Sequence, residues 1–290
     1  DKRLVGVTKR KSKKILRARR TRKRRKKIDS LSVEILNHLS LSSDHSTKPI
    51  YIFCHICGTK AWIDDDHSRH NERSGVDSIN INGINIIHDF ITQDEESALI
   101  TMIDSRKPWV DSQEGRRKQD YGPKVSFLKR KVAVGNFGGF PDFAVSLFER
   151  IVIGLQQLMD RFIPVEFCIL EYTPERGSYI RPHYDDTWIW GDRLVTVNLC
   201  SETALRLNKE YKIPPYEIVI KMPARSLLVL MGEARYDWQH SINRYDIKSR
   251  RIALTWREFS TEVMKDPEHK DFVDEVFTIA NQIETSASIT

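Results

Sequence analysis

The sequence predicts an α+β protein: an antiparallel barrel or jelly roll (a double-stranded β-helix) with flanking helices, preceded by a disordered basic tail. Three features point there. Six short strand-like runs separated by Gly and Pro turns follow residue 165, with no helices alternating between them. Three amphipathic helical patterns come before those runs, two of them within residues 81–165, and one comes after them. Charge is segregated: residues 1–27 hold sixteen Lys or Arg and one acid, Asp1, so they carry +15 of a net +7 and the other 263 residues carry −8.

Taken in order, the tail holds Lys9-Arg10-Lys11 and Arg22-Lys23-Arg24-Arg25-Lys26-Lys27. So many like charges repel one another and cannot build a core, so disorder is expected. The tail reads first as a nuclear-import signal and second as an arm that binds phosphate by displacing counterions. A merely solubilising tail is the third choice. The nucleus is the expected location, with the cytoplasm second. An acidic body argues against a protein that coats nucleic acid with its whole surface. No apolar run reaches the length of a membrane span, and no apolar h-region follows the charged start. Four cysteines in 290 residues do not suggest a disulfide framework, so a reducing compartment is the simpler expectation.

Residues 28–80 are expected to form an N-terminal extension. Ile28, Leu31, Ile35, Leu36 and Leu39 fit one short helix over 28–42, and Tyr51-Ile52-Phe53 reads as a strand. That strand runs into Cys54-His55-Ile56-Cys57-Gly58, a Cys-x-x-Cys turn which His67 and His70 could complete as a zinc site. The His pair is spaced more tightly than usual, and two free thiols beside a polar loop over 64–80 is the competing reading. A third unit, 81–290, begins with strand character over 84–91. Thr92-Gln93-Asp94-Glu95 is a capping box for a helix that buries Leu99, Ile100 and Ile103 and stops before Pro108. A longer helix is expected from Pro141 to Phe162, with Phe143, Leu147, Phe148, Ile151, Leu155, Leu158 and Met159 as its apolar stripe. Between the helices, residues 104–131 carry nine basic and four acidic side chains around Tyr121. They read either as a phosphate-contacting rim or as a solvated hairpin.

The strand runs are Val165–Tyr172, Ser178–Pro182, Arg193–Cys200, Tyr216–Met222, Ser226–Met231 and Arg251–Phe259, with 202–213 as an insertion. Residues 261–284 read as an outer helix. The chemistry gathers at Arg181-Pro182-His183-Tyr184-Asp185-Asp186. On an extended strand His183 and Asp185 share a face, which supplies two ligands of a 2-His-1-carboxylate iron site. An ordinary polar strand end would look the same. His240 suits the third ligand. Arg251, Ala253, Thr255 and Arg257 alternate onto one face, and a buried Arg251 could clamp a carboxylate with Tyr172 donating a second bond.

The ordered set His183-x-Asp185, His240, then Arg251-x5-Arg257 resembles the AlkB-type Fe(II)/2-oxoglutarate dioxygenases over roughly residues 81–285. Arg117-Lys118-Gln119-Asp120-Tyr121-Gly122-Pro123-Lys124-Val125, Pro174-Glu175-Arg176-Gly177 and Pro223-Ala224-Arg225-Ser226-Leu227-Leu228-Val229-Leu230 are most similar to the homologue-4 branch of that family. The resemblance implies Fe(II), 2-oxoglutarate and O2 as cofactors, with His183, Asp185 and His240 holding the iron. It implies that Arg251 and Tyr172 hold the distal carboxylate of 2-oxoglutarate. Arg257 would lie near the other end of the cosubstrate, or near the substrate. Arg116, Arg117, Lys118 and Tyr121 would belong to a substrate-recognition lid, with Asp186, Trp188 and Trp190 as pocket wall or, alternatively, core. Two polar residues of the family pattern are replaced here by Leu170 and Ala253, and the branch's usual Cys-rich leading segment by the basic tail. The implied activity is oxidative N-demethylation with N6-methyladenine in DNA as favoured substrate. The alternative is a protein N-methyl-lysine demethylase with an actin-type substrate; a non-catalytic binding module is a third reading. Methylated DNA or methylated protein is the expected partner, and no membrane is.

Overall fold

The structure is a computed structural model that describes residues 48–70, 77–209 and 216–284. The basic tail and the helix expected over 28–42 lie outside the described residues. The chain begins with β1 (Ile50–Cys54), β2 (Lys60–Trp62), β3 (Ser78–Asn80) and β4 (Ile84–Ile87), then α1 (Gln93–Arg106). Next come β5 (Val110–Asp111), β6 (Arg117–Tyr121), β7 (Lys124–Ser126), β8 (Lys131–Ala133) and α2 (Asp142–Gly154). The remainder is β9 (Glu166–Tyr172), β10 (Ile180–His183), β11 (Trp190–Leu199), β12 (Thr203–Asn208), β13 (Glu217–Met222) and β14 (Ser226–Leu230). It closes with α3 (Gly232–Tyr236), β15 (Gln239–Ile242), β16 (Arg251–Phe259), α4 (Thr261–Lys265) and α5 (Lys270–Ala280).

Two seven-stranded sheets make the jelly roll. The major sheet runs β4-β14-β11-β16-β9-β6-β5 and is antiparallel throughout. The minor sheet runs β10-β15-β12-β13-β1-β2-β3, antiparallel except where β1 pairs with β13 in parallel. Strand alternation assigns each major-sheet side chain to one of two cores. Val195, Val197, Val229, Leu254 and Trp256 pack under the helices with Leu99, Ile103, Phe143, Leu147, Ile151, Val263 and Val276. Leu194, Leu228, Leu230, Tyr172 and Ala253 face Leu205, Leu207, Ile218, Ile220, Trp238 and Ile242 across the sandwich. The catalytic candidates lie in this second layer, so the helices brace the site from behind.

Several elements depart from the sequence expectation. Residues 202–213 are not only an insertion: Thr203–Asn208 is β12, hydrogen-bonded to β13 and β15. Its Arg206 breaks the apolar pattern but is neutralised by Asp246 and Glu217. Strand β15, which carries His240, was not expected either, because Gln239-His240-Ser241-Ile242 is short and polar. Helix α2 ends at Gly154 rather than Phe162, where glycine favours termination; Met159 and Phe162 reach the core from turns. The outer helix is split into α4 and α5 at Pro267, whose ring cannot continue a helix. The extension expected over 28–80 with one strand at Tyr51-Ile52-Phe53 instead contributes three strands, β1 to β3, hydrogen-bonded into the minor sheet.

Candidate metal and cosubstrate site

Strand β10 is the edge of the minor sheet, and its pairing with β15 sets His183 directly opposite His240. Pro182 is tolerated here because an edge strand leaves one row of amides unpaired. The expectation that His183 and Asp185 share one strand face needs correction. The strand ends at His183, and Asp185 sits in the irregular segment beyond it. That segment still returns the carboxylate: Asp185 Oδ1 lies 3.4 Å from His183 Nε2 and 3.8 Å from His240 Nε2, and the two rings are 4.2 Å apart. All three donor groups lie within 4.8 Å of one another. His183 Nδ1 donates to Arg181 O at 2.9 Å, which frees Nε2 to face the group.

The electrostatics suit a cation. Burial alone would raise the Asp185 carboxyl, but Arg257, His183 and His240 together hold it well below the usual carboxylate range. Arg257 Nε donates to Asp185 Oδ2 at 2.7 Å, leaving Oδ1 to the histidines. Burial, reinforced by His183, lowers His240 to about 3 despite the opposing Asp185 charge. Asp185 is therefore held as the ionised carboxylate and His240 as the neutral imidazole that a metal requires.

An apolar cleft of about 590 Å³, its open mouth included, runs inward from this group. Arg251, Ala253, Thr255 and Arg257 all line it, as the alternation along β16 requires. At the far end Arg251 is buried and stacks 4.8 Å over the Tyr172 ring, its register partner on β9. Its Nε donates to Asn198 Oδ1 at 2.6 Å, while Nη1 is buried with no hydrogen-bond partner. An unspent, buried guanidinium N–H is costly unless an acceptor completes it. A dicarboxylate reaching from Arg251 to the His–Asp–His group would do so, and these residues therefore fit 2-oxoglutarate and iron.

Other residues stand differently from expectation. Leu170 and Ala253 are register partners, and the polar support they lack comes from Asn198 on β11, opposite Ala253. Asn198 is fully buried and donates to the carbonyls of Ser201, Met222 and Pro223. Arg257 supports Asp185 and also pairs with the partly buried Glu166. Arg116, Arg117, Lys118 and Tyr121 form β6 and its lead-in, not a separate lid. Arg116 is buried against Glu114 and Tyr172, Arg117 pairs with Glu171, and Lys118 pairs with Asp120. Tyr121 is buried beside Phe167. Trp188 and Trp190 belong to the core under the helices, Asp186 is exposed, and none of these lines the cleft. Sequence reasoning also missed Arg235 on α3. It is fully buried, none of its three nitrogens has a hydrogen-bond partner, and burial lowers its pKa against the nearby Asp185 charge. Only its place before the Trp238-Gln239-His240 run could have drawn attention to it.

No family model matches the chain. The alpha-ketoglutarate-dependent dioxygenase alkB homolog 4 of Homo sapiens is 42% identical over 226 residues, covering 68% of this chain and 74% of that protein. Its Mus musculus counterpart is 39% identical with the same coverage. A Caenorhabditis elegans protein named DNA N6-methyl adenine demethylase is 42% identical over 181 residues, 62% of this chain and 61% of its own length. Among solved structures, OsALKBH1 aligns with 62% of this chain at a TM-score of 0.44 and 10% identity. By its identity to the human and mouse proteins and the share of them it covers, this chain belongs to the AlkB family of 2-oxoglutarate-dependent dioxygenases, enzymes that use Fe(II), 2-oxoglutarate and O2.

Proposed function

We propose that this chain is an oxidative N-demethylase acting on N6-methyladenine in DNA. The observation that carries the chemistry is the buried Arg251 Nη1, without a partner, at the opposite end of one apolar cleft from His183, Asp185 and His240. Bound iron, with 2-oxoglutarate and O2, supplies the oxidant that hydroxylates an N-methyl group, which then leaves as formaldehyde. His183, Asp185 and His240 would hold the metal, and Arg257 orients the carboxylate through its 2.7 Å bond. Arg251 and Tyr172 would fix the cosubstrate's distal carboxylate, with Asn198 setting the guanidinium plane. The apolar walls, Leu194, Leu205, Leu228 and Leu230 among them, exclude water from the reacting centre.

DNA is favoured by the distribution of unspent basic charge. Arg106, Lys107, Arg116, Arg117 and Lys118 each have an acidic partner. Lys124, Lys129, Arg130 and Lys131 on the β7–β8 hairpin are exposed and, among the described residues, have none; exposed Phe127 and Leu128 lie between them. Free cations beside apolar side chains that can lie against bases suit single-stranded or opened nucleic acid. The basic tail would add phosphate contacts and serve as a nuclear-import signal. The −8 carried by residues 28–290 favours the second reading, a protein methyl-lysine substrate. The test is formaldehyde release with Fe(II) and 2-oxoglutarate, offered methyladenine DNA and methyl-lysine peptides in parallel. Release from DNA that disappears in His183→Ala is expected. Release from peptides alone overturns the DNA assignment, and release from neither substrate by a protein that binds 2-oxoglutarate overturns both.

A further inference from the structure

A second cluster of ligating side chains lies outside the cleft. Cys54 closes β1, Cys57 sits in the β1–β2 turn, and His67 and His70 belong to a 3-10 turn before β3. Cys54 Sγ is 3.3 Å from His67 Nδ1, Cys57 Sγ is 3.5 Å from the same nitrogen, and Cys57 Sγ is 3.4 Å from His70 Nδ1. All four ligand atoms lie within 4.8 Å of one another. We propose that Cys54, Cys57, His67 and His70 form a structural zinc site that ties the β1–β2 turn to the connection leading into β3.

The geometry matches zinc in four respects. Tetrahedral zinc with Zn–S of about 2.3 Å and Zn–N of about 2.0–2.1 Å places sulfur and nitrogen roughly 3.5–3.6 Å apart, close to the three separations here. Two thiolates with two imidazoles is the donor set that selects zinc, whereas the nitrogen and oxygen donors at His183, Asp185 and His240 suit iron. The tight His-x-x-His spacing, an objection in the sequence, is resolved by the 3-10 turn. Residues i and i+3 eclipse there, so His67 and His70 project together. Finally, the shell outside the ligands is built. His70 is buried and stacks on Trp62 at 4.4 Å and 9°, and its Nε2 lies 3.4 Å from Asp64 O, which keeps Nδ1 turned inward. The Cys57 amide points at Cys54 Sγ from 3.5 Å, as it would toward a thiolate, and Gly58, at φ +74°, closes the turn.

The site has a structural consequence. Strand β1 enters the minor sheet through its parallel pairing with β13, and β2 and β3 follow outward from it. Metal binding is folding free energy for such a segment, so zinc fixes the β3 end of the sheet whose opposite edge strand, β10, carries His183, with His240 on the neighbouring β15.

The test is metal content of the purified full chain, followed by cobalt(II) substitution. One zinc per chain is expected, retained in His183→Ala, lost in Cys57→Ser and His70→Ala, and kept in His70→Cys, which restores a four-donor set. Cobalt(II) should show a thiolate-to-metal charge-transfer band and intense tetrahedral visible bands. That spectrum is read on the unsubstituted chain, and the His–Asp–His group cannot give it because it has no sulfur. Zinc below stoichiometry together with absence of the thiolate band overturns the proposal. So does zinc that survives Cys57→Ser, or a Cys54–Cys57 disulfide found by mass.

Discussion

Arg251 is held by Asn198 and Tyr172 while its Nη1 has no hydrogen-bond partner, and both facts carry consequences. Arg251→Lys keeps a charge but loses the planar fork, so about 1.5–3 kcal/mol of charge-assisted bonding is lost. The half-saturating 2-oxoglutarate concentration should rise roughly 10- to 150-fold while iron binding is unchanged, measured by turnover against cosubstrate and by metal titration. Asn198→Ala should act in the same direction, by about tenfold, because Arg251 Nε loses the Asn198 oxygen that accepts from it. Tyr121 gives a pH prediction. Burial, with a smaller push from Glu284, raises its hydroxyl to about 12. The unfolded chain releases this proton near 10. Between those values the unfolded state binds fewer protons, so stability is intact below pH 10 and falls as pH rises toward 12, by about 3 kcal/mol at most. Tyr121→Phe should remove that part of the alkaline loss in denaturant melts. At pH 7 it should change stability by no more than about 1 kcal/mol, since the hydroxyl has no hydrogen-bond partner to lose. Unchanged demethylation in this variant would mark Tyr121 as core rather than substrate contact.

Elements whose pattern is set by local physics were legible. The capping box before α1 is present in both halves: Glu95 N donates to Thr92 Oγ1 at 3.2 Å, and Thr92 N donates to Glu95 Oε2 at 2.7 Å. Thr92→Ala should cost about 1 kcal/mol of global stability, seen as a shifted denaturation midpoint with 2-oxoglutarate affinity unchanged. The alternation that grouped Arg251, Ala253, Thr255 and Arg257 depends only on β16 being a strand, and it was readable for the same reason. What could not be read depends on partners distant in sequence. Arg206 sits in β12 only because Asp246 and Glu217 meet it there. His240 is in a strand because Leu207 and His183 flank it. Asn198 replaces the polar support missing at Leu170 and Ala253 from across the sheet, a compensation that spacing along one strand does not reveal. The basic run over Arg116–Lys118 looked available in the sequence; Glu114, Glu171 and Asp120 occupy it in the fold.

Over the whole molecule, charge is divided between a tail of +15 and the −8 of residues 28–290, while the exposed cations of the β7–β8 hairpin sit on the acidic part. The tail and hairpin should therefore contribute differently. On the proposed DNA reading, the tail would supply sequence-independent affinity through released counterions and the hairpin would orient the bound strand. Deleting residues 1–27 should weaken DNA binding and flatten its salt dependence, because the slope of log K against log salt is roughly −0.9 per duplex phosphate contacted, or −0.7 on single strands. Replacing Lys129, Arg130 and Lys131 with Glu should remove about two to three units of slope, counting one contact per lost cation, and should lower demethylation of DNA more than binding of it. A peptide substrate touches neither region's phosphate contacts, so methyl-lysine turnover should be unaffected by the deletion. Equal loss of DNA and peptide turnover in the hairpin variant would instead mean that the hairpin supports the fold. Absence of any salt dependence of DNA binding in the chain that keeps residues 1–27 would remove the tail from substrate binding.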